Sequence, residues 1–111
     1  MSVDFDDIFK TLQTEVETLA KSSLKKYTKE AIDDGKKFLN DTKDNLKRWT
    51  TLLSQGTLTK QDYEWLILSQ KDLAQMHALK QAGLSLGNVD QFKLSLLNVV
   101  VGTVLDKLKI S

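Results

Sequence analysis

Lys25-Lys26-Tyr27, Lys36-Lys37-Phe38 and Lys47-Arg48-Trp49 follow one another at a spacing of eleven residues. The same column extends backwards through Val16 to Phe5. Eleven residues make three helical turns at ~3.67 residues per turn, close to the natural 3.6. This period therefore holds one apolar line along one side of a nearly straight helix. No proline interrupts the chain, which is rich in Leu, Lys, Gln and Asp. Both observations point to an all-α protein. With 111 residues, 41% hydrophobic and 28% charged, the chain is sized and composed for one folded domain.

Three helices are expected. The first spans about 5–54, a rod of about 75 Å if continuous. Acidic Asp6 and Asp7 suit the positive end of its dipole. Its apolar residues recur at spacings of three and four, the helical pattern. Asp33-Asp34-Gly35 is where it would break, because the triplet also reads as a turn. The eleven-residue phase is the same on both sides of Gly35, which favours continuity. Gln55-Gly56 then stops the helix. A second helix, about 60–82, opens on Thr59 with Asp62 three residues later, the pattern of a capping box. Gly83 ends it, with Leu84 placed for the hydrophobic contact of a glycine cap. The third, about 89–108, is apolar over most of its circumference and needs cover on more than one side.

A packing seam follows from these phases. Phe5, Phe9, Leu12, Val16, Tyr27, Phe38, Trp49 and Leu53 form one side of it. Trp65, Ile67, Leu68, Phe92, Leu96, Val100 and Val104 are expected to oppose them. Three helices leave the third one short of cover, so a homo-oligomer is expected.

Chemistry is mostly absent. The chain has no Cys, which removes disulfides and thiolate metal sites. Its one histidine, His77, has no acid four residues away to complete a metal pair. The five glycines are scattered and form no phosphate loop. No catalytic, cofactor-binding or metal-binding residues are assigned, and no enzyme is expected. Gly83, Ser85 and Val89 match the turn of helix-turn-helix proteins, but the following helix is Leu- and Val-rich and lacks base-reading side chains. A net charge of +1 likewise gives no nucleic-acid footprint. No apolar run reaches the ~20 residues of a membrane span. The acidic start does not read as a signal peptide, so a cytoplasmic location is the default expectation.

The eleven-residue repeat is similar to those of exchangeable apolipoproteins and late-embryogenesis-abundant proteins. The resemblance is one of pattern and covers residues 14–57. It implies a helix lying on lipid, with Lys25, Lys26, Lys36, Lys37, Lys47 and Arg48 meeting anionic headgroups and the aromatic residues entering the interface. Acids in the middle of the stripe, and apolar surfaces elsewhere in the chain, favour protein packing instead. The sequence thus supports a non-enzymatic structural or adaptor module acting through protein–protein packing and self-assembly. A peripheral lipid-binding protein is the alternative.

Overall fold

Two helices, not one, carry the eleven-residue repeat. The computed structural model describes residues 4–109. Their elements are α1 (Phe5–Ser23), α2 (Thr28–Ser54), α3 (Lys60–Leu68), α4 (Lys71–Gln75), α5 (His77–Gln81) and α6 (Leu86–Leu108). The class is all-α, as the periodicity implies, but the expected set of three helices is not what forms. The first break falls at Leu24–Tyr27 and not at Asp33-Asp34-Gly35, which lies inside α2.

Cross-chain contacts give the directions. Glu17 on α1 pairs with Lys36 on α2, and the Lys43 ammonium sits 4.8 Å from the centre of the Phe9 ring. These two helices are therefore antiparallel. Thr50 meets Tyr63 and Asp34 meets Ala78, so α3, α4 and α5 run back along α2. Lys107 reaches Asp7 at 3.1 Å, and Asn88 and Phe92 lie beside Ser23 and Leu24, so α6 runs antiparallel to α1. The result is an up-down-up-down bundle of four columns, the third of which is built from three short helices. Its extents are 44 × 23 × 22 Å. The long axis matches a helix the length of α2, about 40 Å, and is incompatible with the 75 Å rod.

Burial explains the fold-back. Residues Phe5, Ile8, Phe9, Leu12, Val16 and Ala20 of α1 are all buried. Burying a large apolar side chain gains ~1.5–3 kcal/mol. Breaking a helix forfeits a few hydrogen bonds worth ~1 kcal/mol net each. The first sum is larger, so the helix folds over. The break is also partly mended: Tyr27 N–H donates to the Leu24 carbonyl at 2.9 Å and the Thr28 hydroxyl to the same oxygen at 3.0 Å. The four-residue reversal stands in for about one helical turn, so the apolar phase crosses it unchanged.

Three sequence signals act as expected. Thr59 accepts from Asp62 N–H at 3.0 Å, and the Asp62 carboxylate accepts from Thr59 N–H at 3.3 Å. Gly56 and Gly83 adopt φ of 77° and 95°, the left-handed conformation that closes α2 and α5. Beyond Gly83, Leu84 N–H bonds back to the Leu79 carbonyl at 3.2 Å. The expected second helix, however, divides into three pieces. Met76, with φ 41° and ψ 55°, separates α4 from α5. The last helix begins at Leu86, ahead of the expected start near 89, because Ser85 caps it, accepting from Asn88 N–H at 3.3 Å.

Gly35 is buried where α2 crosses α1. A Cβ at this position would overlap Val16 Cγ1, which is itself in the core. Helix propensity alone would make Gly35→Ala stabilising by ~1 kcal/mol. Overpacking against a β-branched neighbour costs ~1–3 kcal/mol, so the net effect is a loss. Urea unfolding of Gly35→Ala, Val16→Ala and the double variant checks this. The double variant should be more stable than the sum of the two single losses implies. Strict additivity would rule out the close approach as the reason for glycine.

Candidate interaction site

The expected seam is the chain's own core. Phe5, Phe9, Leu12, Val16, Phe38, Trp49 and Leu53 are buried, and Tyr27 is half-buried in the α1–α2 reversal. Among the residues expected to oppose them, Ile67, Phe92, Leu96, Val100 and Val104 are buried. Trp65 and Leu68 are not. Tyr63 and Ile67, one turn apart, take the inward face of α3 and rotate Trp65 to the opposite side. The apolar circumference of α6 is largely covered within the chain, with eight residues buried.

The six basic candidates do not form one patch. Lys25 and Lys26 lie exposed in the α1–α2 reversal, while Lys47 and Arg48 are near the other end of α2, about 30 Å away. Lys36 is engaged by Glu17, whose pKa falls because the Lys36 ammonium donates to it and attracts its charge. Lys37 pairs with Asp41 at 2.5 Å, and Arg48 Nη2 donates to Asn45 Oδ1 at 3.1 Å.

Polar groups that reach the interior have structural partners there. The buried Asp34 carboxylate accepts from Ala78 N–H at 2.9 Å and Leu79 N–H at 2.8 Å. It caps α5 from another helix, supplying the acceptor that Met76 lacks. Tyr63 Oη lies 2.9 Å from Thr50 Oγ1. Burial raises the Tyr63 pKa from 10.0 to about 12, against the opposing pull of the Thr50 hydrogen bond. His77 is exposed, its Nε2 3.0 Å from Gln75 Oε1. Among the described residues, no cluster of His, Asp and Glu could hold a metal ion, and no helix is long and apolar enough to cross a membrane.

What stands out is on the surface. Trp65, Leu68, Leu86 and Leu94 are 68%, 46%, 69% and 54% exposed. Leu68 and Leu94 share a groove of about 220 Å³ with buried Leu73, edged by Asp90 and Lys93. Those two charges neutralise each other, at 2.9 Å. The groove joins the third column to α6, and both of its walls stand on helices packed into the core. Sequence reasoning missed it because Leu68 and Leu94 read as ordinary core residues. The spacing of Tyr63 and Ile67, four residues apart, was the signal that could have turned α3 the right way. No protein-family model, curated protein or solved structure matches this chain.

Two outcomes test the interior assignments. Asp34→Ala leaves two N–H groups without their acceptor and should destabilise by ~2 kcal/mol. Amide exchange should accelerate first at Ala78 and Leu79, whereas a merely global effect would quicken all core amides together. For Tyr63, the folded-state pKa is raised, so its contribution to stability is complete below pH 10 and is lost as pH climbs towards 12. The loss above both values is ~2–3 kcal/mol. Ultraviolet titration in a Tyr27→Phe background isolates this phenol, since the chain has two tyrosines. Ionisation near pH 10 in the folded protein would contradict its burial.

Proposed function

We propose that this chain is a non-enzymatic helical interaction module that presents a preformed apolar surface to another protein chain, assembly with its own kind included. The observation that carries this reading is the exposure of Trp65, Leu68, Leu86 and Leu94 on a bundle whose other large apolar side chains, among the described residues, are buried or half-buried. A small folded domain gains nothing from leaving a tryptophan in water, and tryptophan is the residue type most enriched at binding hot spots. The walls of the surface are helical and pre-organised, which lowers the ordering cost of binding.

Lipid binding draws less support from the same arrangement. The aromatic column that would enter a membrane interface is largely buried in the core, and the basic residues are spread from the α1–α2 reversal to the far end of α2, with Lys36 and Lys37 held in ion pairs.

The test compares the native assemblies of the wild-type chain with those of a Trp65→Ser/Leu94→Ser variant, alongside flotation with anionic phospholipid vesicles. Both substitutions are at exposed positions, so unfolding stability should stay within ~0.5 kcal/mol. The expected result is a protein assembly larger than the monomer, lost in the variant, with no flotation. A monomer that floats with the vesicles would replace this reading with the lipid one.

A further inference from the structure

Residues 60–82 carry the start and stop signals of one helix and none in between. The Thr59–Asp62 capping box opens the segment, and Gly83 closes it. No glycine or proline lies between Thr59 and Gly83. The chain nonetheless breaks twice, at Ser69–Gln70 and at Met76. Gln70 is extended, with φ −68° and ψ 131°, and neither α4 nor α5 is capped by the side chain of its own N-cap residue. Met76 takes the left-handed backbone, with φ 41°, which a residue bearing a Cβ adopts at a cost.

Helical phase gives the reason for the breaks. Tyr63 and Ile67 face the core. If α3 ran on unbroken, Gln70, His77 and Gln81 would fall within ~40° of Tyr63, on the inward side. Met76 and Leu79 would fall within ~40° of Trp65, on the outward side. The two breaks re-phase the chain, so that Leu73, Met76 and Leu79 are buried instead. Burial therefore holds the broken form. Asp34 holds it as well, from another helix, by accepting from Ala78 N–H and Leu79 N–H. Against it stand the left-handed residue and the helical hydrogen bonds forgone at both breaks. Local signals and tertiary packing thus favour two different backbones for one segment, the conflict on which a conformational switch is built.

We propose that residues 60–82 form a two-state element: a broken, packed column latched by Asp34, and one continuous helix that carries Met76 and Leu79 outward to the side of Trp65 and Leu68. Three buried apolar side chains make the broken form the major one in the free chain. A ligand that engages Trp65 and Leu68 selects the continuous form, because only there do Met76 and Leu79 join them. The device goes beyond the interaction surface described above and belongs to the chain alone.

Carbon relaxation dispersion on the purified protein reads both states without any partner, so its result is separate from that of the assembly test. In Asp34→Ala, exchange should centre on residues 69–79, with the Gln70 Cα resonance moving from an extended to a helical position in the minor state. The minor population should rise roughly tenfold over the wild type. Gln70→Ala should shift the balance the same way with Asp34 and the core in place, since it removes the Gln70 side-chain bond to the Leu66 carbonyl at 3.2 Å and favours helix. Met76→Ala and Met76→Gly truncate the core almost alike, so their difference isolates the backbone. The minor population should be roughly tenfold larger in the alanine variant, which resists the left-handed turn and favours the helix. Random-coil positions for residues 70 and 76 in the minor state would mean plain local unfolding and overturn the proposal. Absence of any minor state in both Asp34→Ala and Gln70→Ala, or equal populations in the two Met76 variants, would overturn it too.

Discussion

The contact between Gly35 and Val16 sets how closely the first two helices approach, and the rest of the bundle is assembled on that pair. α1 borders both α2 and α6, so any spreading of α1 from α2 would be felt on both of its sides. A helix-interior glycine is unfavourable by ~1 kcal/mol in isolation. It persists where the alternative is a methyl group forced into a packed core, because interiors at crystal-like density do not yield by the width of a methyl. The local penalty and the tertiary gain have opposite signs, and the tertiary gain decides.

The residue beside it has the complementary task. Successive helical residues point ~100° apart. Gly35 therefore meets α1, and Asp34 looks across to α5. The third column needs such an anchor. Its pieces are nine, five and five residues long, too short to persist as isolated helices. Met76 adds a left-handed backbone turn that a side chain bearing a Cβ adopts at a cost. Tyr63 fixes the start of the column to Thr50, and Asp34 fixes its end. Between those two points the column is held by Ile67, Leu73, Met76 and Leu79 in the core. Local opening is expected in this column before α1, α2 or α6, since short helices rely most on tertiary contacts.

The helical class was legible from spacing alone, and so were most of the buried residues and the caps at Thr59, Gly56 and Gly83. Each of these depends on residues within one or two turns of one another. The chain reversal at Leu24–Tyr27 was hidden for a physical reason. Its four residues replace one turn, so the eleven-residue register that usually marks a continuous helix survives a hairpin. Asp33-Asp34-Gly35 misled in the other direction. Turn-forming residues were needed there by partners some twenty residues back and forty-five residues ahead. The candidate surface was the least legible part. Leu68 and Leu94 have the same side chain as their buried neighbours, and only the rotation of α3 and α6 decides which leucines face water.

That rotation links the core to the surface. On α3, Tyr63 must reach Thr50, because a buried phenol without a partner is costly, and Ile67 follows it inward one turn later. Trp65 is then forced outward whatever its own preference. On α6, the inward rows of valine and leucine pack against α1 and α3, which leaves Leu94 at the edge of that contact, in the groove with Leu68 and Leu73. A chain selected only for its monomeric fold would place charged or polar residues at these points, as it does along most of α2's outer face. Retaining tryptophan and leucine there, beside the Asp90–Lys93 pair that cancels, instead keeps a surface with apolar attraction and little electrostatic preference. On the proposed reading such a surface discriminates by shape, and the fit of the Leu68–Leu73–Leu94 groove would determine which partner it accepts.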